Sequence, residues 1–157
     1  MVLATPAAHP RIEERGGKPT PEAILNRYLL LYLATAMVFL PLDLLFLGTL
    51  AKSFFTAQVG DMLGEIRFMP AILFYLLYVG GIVIFANGPA AATWPSACLY
   101  GGLFGLFCYA TFELTALSLL KHWTWGVVAV DMSWGIFVTA ASAGLGLIIA
   151  NAVAARI

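Results

Sequence analysis

Three acidic side chains, Asp43, Glu113 and Asp131, lie in stretches of sequence that are otherwise apolar and contain no Lys or Arg. A charged acid at the centre of a bilayer disfavours insertion by roughly 3 kcal/mol on translocon scales, and such residues usually face the interior of a helix bundle and mark a site. We therefore predict that these acids are proton donors or acceptors at a functional site.

The positions of the three acids within their apolar stretches predict a common depth. Asp43 precedes the end of the first stretch by about seven residues, Glu113 precedes the end of the third by about six, and Asp131 follows the start of the fourth by about six. Alternating topology puts all three ends on one side of the membrane, so at 1.5 Å per helical residue each acid lies about 10 Å inside that face. Tyr75 and Tyr78 enter the second stretch from the same side, so all four stretches contribute a polar group to one layer.

Aromatic side chains accompany the acids on the same helix faces. Tyr109 shares a stripe with Glu113 and with glycines that permit close helix approach, while Trp134 shares a face with Asp131. We predict that four aromatic residues form the walls of a ligand-binding pocket: Tyr75, Tyr78, Tyr109 and Trp134.

Three carboxyl groups in a low-dielectric bundle cannot all stay ionised without a cation, so we expect at least one to hold a shared proton. Acid and base roles could then divide between carboxyl groups in different environments. The alternative is that the acids are protonated or hydrogen-bonded and only link helices. Because polar contacts in membranes contribute only about 0.6 kcal/mol on average, linking helices is a weak reason to bury three acids.

The remaining residue types disfavour several other kinds of site. The two histidines, His9 and His122, fall in the predicted tail and in a loop, so zinc, haem and non-haem iron lack their usual ligands, and we predict neither a metal nor a cofactor. Cys98 and Cys108 are about 15 Å apart on one predicted helix and cannot form a disulfide with each other. A formal net charge of zero and the lack of a basic patch argue against nucleic-acid binding.

Composition assigns the chain to the integral membrane proteins. Of 157 residues, 62% are hydrophobic and 10% charged, whereas about a quarter of a soluble domain is charged. Four apolar stretches, at about 27–50, 70–87, 96–119 and 125–150, approach the roughly 20 residues that cross a bilayer as a helix. We predict an all-α membrane protein, a four-transmembrane-helix bundle.

The segments outside these spans are predicted from their own patterns. Residues 1–26 read as a flexible N-terminal tail that leads into a helix capped by Thr20, and residues 27–157 form the transmembrane domain. In the connection 51–69, Phe55, Val59 and Ile66 recur at helical spacing, which predicts a short interfacial helix between spans 1 and 2; an ordinary loop is the alternative.

Loop charges predict the orientation. One side carries five basic residues, Arg11, Arg15, Lys18, Arg27 and Arg156, and the other side carries three, Lys52, Arg67 and Lys121. The excess favours a cytoplasmic location for both termini.

Four short segments resemble the signature stretches of an uncharacterised bacterial membrane-protein family, the domain of unknown function numbered 2177. They are LDLLFLG at 42–48, FYLLYVGG at 74–81, YATFELT at 109–115 and VDMSWG at 130–135. The resemblance covers about residues 27–150 and implies a four-span bundle in a bacterial inner membrane, without an established activity. Where the family's third motif has Asp and Asn, this chain has Glu113 and Ala116, which weakens any strict geometric role for the third acid.

Three functions remain open at this point, and the sequence does not decide whether the protein is an enzyme. The first is binding of, or acid-base chemistry on, a lipid-like or hydrophobic small molecule between the acids and the aromatic walls. The second is a role as an accessory subunit of a larger membrane complex. The third is transport of protons or a small cation, for which four spans leave little room unless the chain forms a homo-oligomer.

Overall fold

The computed structural model of the protein describes residues 19–62 and 64–156, with the side chains of Leu50 and Asp61 left out. Within these residues the regular structure is entirely helical. Four helical segments, Pro21–Thr49, Phe68–Asn87, Trp94–Leu119 and Trp125–Ala154, are long and apolar enough to cross a membrane. The predicted all-α, four-span architecture is therefore confirmed.

The first span begins where its capping residues predict. Helix α1 covers Pro21–Phe46, and the Thr20 hydroxyl accepts a hydrogen bond from the Ala23 N–H over 3.3 Å, with Pro21 in the first helical position. Residues 21–26, assigned to the tail above, therefore belong to this helix. The rest of the predicted tail, residues 1–18, lies outside the described residues, and with it Arg11, Arg15, Lys18 and His9.

The connection after α1 is helical for a shorter distance than its apolar pattern predicts. A π-helical turn, Leu47–Ala51, leads from α1 into α2, Lys52–Val59, and a 3-10 turn follows at Gly60–Met62. Ile66 lies beyond the helix and is 76% exposed, so the predicted stripe to Ile66 is wrong. Gly60 and Gly64 disfavour further helix, and Val59 is fully buried, so α2 packs against the protein at its end.

The second span ends at Asn87, where the second apolar stretch was predicted to end. Helix α3 covers Phe68–Ile82 and continues as a π-helical turn, Val83–Asn87. Arg27 of α1 donates from Nη1 to the Gly88 carbonyl over 2.6 Å and from Nη2 to the Pro89 carbonyl over 3.3 Å. A guanidinium at the end of a helix satisfies carbonyls that have no partner in the helix and complements its dipole.

The third and fourth spans, α4 (Trp94–Leu119) and α5 (Trp125–Ala154), make the most extensive helix contact in the described structure. Glycine makes the approach possible. A Cβ atom at Gly105 would collide with the Gly135 carbonyl and would lie 2.7 Å from the Thr139 hydroxyl, because the two backbones are in contact there. The short turn between Leu119 and Trp125 makes these helices antiparallel neighbours.

Candidate functional site

Asp43 is held by two hydrogen bonds from two other helices. The Tyr75 hydroxyl of α3 donates to Oδ2 and the Trp134 indole N–H of α5 donates to Oδ1, each over 3.0 Å. The Trp134 ring is itself fixed by stacking on Phe46, with ring centroids 4.1 Å apart. Only 4% of Asp43 is exposed, so this acid faces the interior and joins α1 to α3 and α5.

Glu113 is fully buried and has one hydrogen-bond donor. The Trp123 indole N–H, in the turn between α4 and α5, donates to Glu113 Oε2 over 2.8 Å. Oε1 of Glu113 is buried and accepts no hydrogen bond from a described residue. Asp131 of α5 is the neighbouring acid. Two carboxyl groups side by side in a buried place repel each other when both are charged, so the pair favours holding one proton.

Tyr78 and Tyr109 complete the layer from α3 and α4. Thr139 donates its hydroxyl hydrogen to the Gly135 carbonyl, so the Tyr78 hydroxyl is the donor in its 2.8 Å hydrogen bond with Thr139. The rings of Tyr78 and Tyr109 meet edge to face, with centroids 6.1 Å apart. The Tyr109 ring lies directly on Gly135, where a Cβ atom would collide with it.

These side chains surround a cavity of about 440 Å³ that is partly open to its surroundings. Its lining includes two acids, Asp43 and Asp131, and no Lys or Arg. Six aromatic residues form most of the wall: Phe74, Tyr75, Tyr78, Tyr109, Phe112 and Trp134. Ligand sites typically enclose about 300–1,000 Å³ and combine apolar walls with a few polar groups, and this cavity has both properties.

The arrangement can exchange protons and can hold a polar group against acid oxygens. Asp43 accepts a hydrogen bond on each oxygen. Asp131 lines the cavity and has Glu113 as its neighbour behind the wall, so the pair provides a place for a proton at the cavity wall. Across residues 19–62 and 64–156, no group of three His, Cys, Asp or Glu side chains is placed to hold a metal ion.

Comparison with known proteins gives one match. Residues 28–148 match the model of a family described as predicted membrane protein, the domain of unknown function 2177. The chain belongs to this family. The match includes most of the first and fourth spans, all of the second and third, and every residue that lines the cavity. No curated protein and no solved structure matches the chain.

The structure brings six of the seven predicted site residues to the cavity wall. Asp43, Tyr75, Tyr78, Tyr109, Asp131 and Trp134 line it. Glu113 does not line the cavity; it lies behind Asp131 and faces Trp123. Its burial agrees with the inward orientation expected from the glycine stripe.

Sequence reasoning missed several side chains that shape this site. Trp123 is absent from the predicted site, although its indole N–H donates to Glu113. Cys108 was considered only as a disulfide partner, and it lines the cavity with Phe74 and Phe112. The spacing of Cys108 and Phe112, four residues apart on α4, is a signal that could have placed them beside Tyr109 and Glu113.

A second buried polar cluster lies outside the cavity, near the other end of α3. The Asn87 amide donates to the Thr35 hydroxyl over 2.9 Å and to the Ala143 carbonyl over 3.2 Å. Ser142, next in the chain to Ala143, is also fully buried. These bonds connect α1, the end of α3 and α5, so the cluster positions three of the helices that surround the cavity.

Proposed function

We propose that the protein binds a hydrophobic or lipid-like molecule inside the membrane and exchanges a proton with its polar end. The observation that carries the proposal is the cavity of about 440 Å³, in which Asp43 and Asp131 join a wall of aromatic side chains. A molecule with an apolar body and one polar group matches such a wall. The partial opening of the cavity gives this molecule a route of entry.

The two acids of the wall have different environments, and this supports separate roles. Asp43 accepts hydrogen bonds on both oxygens, so it acts as the fixed carboxylate that receives or stabilises positive charge. Asp131 lies beside the buried Glu113, so it acts as the proton donor. Carboxyl groups that differ in this way are the usual basis of general acid-base chemistry.

The proposal includes a location in a bacterial inner membrane with both termini in the cytoplasm. Family membership supports a multi-pass membrane location, and the excess of basic residues beside the termini supports the orientation. Assembly into a homo-oligomer or a larger membrane complex remains a prediction. Transport of protons or a small cation remains an alternative function.

A cavity-filling variant tests binding directly. Ala71 is a small, half-buried residue of the cavity wall, so Ala71→Phe should occupy part of the space. Ala152→Phe on the exposed end of α5 adds the same group away from the cavity. Native mass spectrometry of proteins purified in mild detergent, with lipid extraction from the same cells, should find one bound molecule in the wild type and Ala152→Phe that is absent from Ala71→Phe.

Other outcomes of this experiment would decide against the proposal. Identical bound species in all three proteins would mean that lipid binds elsewhere on the helices. A wild type that carries no bound molecule and instead always purifies with a larger assembly would favour the accessory-subunit function. Acid-base chemistry further requires that the lipid profile of the cells change with the wild type and not with Asp131→Asn.

A further inference from the structure

The electrostatics of the cavity wall restrict the kind of molecule that it takes. We propose that the ligand is a lipophilic cation, such as an amphiphilic ammonium compound, and that its binding displaces the proton held between Glu113 and Asp131. This inference rests on the proposed function and adds to it the charge of the ligand and the coupling to a proton.

The first argument is the imbalance of charge. Two acids line the cavity and a third lies against one of them, whereas no Lys or Arg is part of the wall. The basic residues of the connections between spans 1 and 2 and between spans 3 and 4, Lys52, Arg67 and Lys121, are exposed at the surface. An acid in a low-dielectric site gains strongly from a positive partner, and the wall itself provides none.

The second argument is that most hydrogen-bond donors of the wall are already engaged. The Tyr75 hydroxyl and the Trp134 indole N–H both donate to Asp43, and the Tyr78 hydroxyl donates to Thr139. Tyr109 and Cys108 carry the other O–H and S–H groups of the wall. An anionic ligand would therefore meet acid oxygens and few available donors, so the wall disfavours an anion and favours a cation.

The third argument is the aromatic wall. Phe74 and Tyr78 have ring centroids 5.2 Å apart, and Tyr78 and Tyr109 meet at 6.1 Å, so several rings face one space of small dimensions. The faces of aromatic rings attract cations, most strongly where water is excluded. Such rings also accept the apolar part of an amphiphile, so one wall can bind both parts of a lipophilic cation.

The fourth argument concerns the proton. Glu113 Oε1 is buried and has no hydrogen-bond donor among the described residues, and Asp131 is the neighbouring acid. Two carboxyl groups side by side in a low-dielectric interior repel each other when both are charged, so the pair favours holding one proton. A cation that arrives on the cavity side of Asp131 supplies the positive charge instead, so the proton is released. Affinity for the cation then increases as pH rises, by mass action.

The other titratable groups that line the cavity with Asp131 are acids or weak acids, so they do not replace the cation. They are Asp43 from α1, Tyr75 and Tyr78 from α3, and Cys108 and Tyr109 from α4. Lys121 and His122, in the turn between α4 and α5, do not line the cavity.

A pair of ions with the same four phenyl groups and opposite charge provides the test. Equilibrium binding of tetraphenylphosphonium and tetraphenylborate is measured on the purified full chain across neutral pH, with calorimetry in two buffers of different ionisation enthalpy to count protons. We expect the phosphonium to bind at least about tenfold more tightly than the borate, with release of about one proton per cation.

Two variants of the carboxyl pair separate charge from proton coupling. Asp131→Asn removes the charge at the cavity wall and should abolish binding of the phosphonium. Glu113→Gln supplies an amide N–H to Asp131 in place of the proton, so binding should persist and lose its dependence on pH. Glu65→Gln, on an exposed loop residue, is the matched control and should behave as the wild type. Asp131→Glu should restore binding, which distinguishes lost charge from misfolding.

The inference and the proposed function fail in different ways. Equal binding of both ions, or tighter binding of the borate, overturns the inference, as does cation binding by the wild type without proton release. If a neutral molecule is bound in the wild type and lost in Ala71→Phe, the proposed function stands and the inference of a cationic ligand is wrong. If the wild type binds neither ion and retains no molecule sensitive to Ala71→Phe, both are overturned.

Discussion

The indole N–H of Trp134 donates to Oδ1 of Asp43 over 3.0 Å, although the two residues are 91 positions apart in the chain. The bond joins the end of the first span to the first turns of the fourth. Tyr75 binds the second oxygen of the same carboxyl group, so one acid organises three helices and one side of the cavity at the same time.

Loss of the acceptor at Asp43 should destabilise the protein. Asp43→Ala leaves the Trp134 N–H and the Tyr75 hydroxyl buried without an acceptor, and we expect a decrease of about 1–3 kcal/mol in the free energy of unfolding for each donor left unpaired. Asp43→Asn keeps one acceptor oxygen and should lose less. Unfolding in mixed micelles measures both; an alanine variant as stable as the wild type would contradict the role of these bonds.

Gly105 and Gly102 are a matched pair on α4. Gly105→Ala places a Cβ atom against the Gly135 carbonyl, and we expect it to lower the free energy of unfolding by about 1–3 kcal/mol through overpacking. The nearest atom to a Cβ at Gly102 is 3.6 Å away, so Gly102→Ala should be neutral or slightly stabilising because alanine favours helix. Thermal unfolding in detergent compares them, and equal stabilities would rule out close backbone contact at Gly105.

Trp123 and Trp125 differ in their contacts although they are two residues apart. Trp123→Phe removes the donor to Glu113 Oε2 and leaves this oxygen of a fully buried acid without its partner, so we expect a loss of about 1–3 kcal/mol in stability. The Trp125 side chain is 70% exposed, so Trp125→Phe should change little. The same unfolding assay measures both variants. A lower stability of Trp125→Phe than of Trp123→Phe would be inconsistent with this geometry.

Arg27 should stabilise the end of the second span through its two carbonyl contacts. Arg27→Gln removes the charge, and we expect a loss of about 0.5–2 kcal/mol in the free energy of unfolding. Arg27→Lys keeps the charge without the planar pair of donors, so its stability should lie between those of the wild type and Arg27→Gln. Arg67→Gln, at an exposed position, is the control. Amide hydrogen exchange at residues 83–88 should increase only in the Arg27 variants.

Local patterns in the sequence were sufficient to predict the spans and their ends. Hydropathy located four helices to within a few residues, since a bilayer requires long apolar segments with every backbone group paired inside the helix. Thr20 with Pro21 marked the start of α1, because capping involves only neighbouring residues. The predicted helix after the first span was too long at its C-terminal end, since a short apolar stripe does not reveal where glycines end the helix.

Counting residues along each span predicted a common depth for the acids, because helical rise is constant and the topology alternates. Counting could not predict how the helices rotate and pair. Which acid receives which donor, that Asp131 lines the cavity while Glu113 lies behind it, and that Trp123 binds Glu113 all depend on contacts between distant residues. Those contacts are set by the close approach of α4 and α5 at glycine and by the packing of rings around it, and the tertiary structure alone decides them.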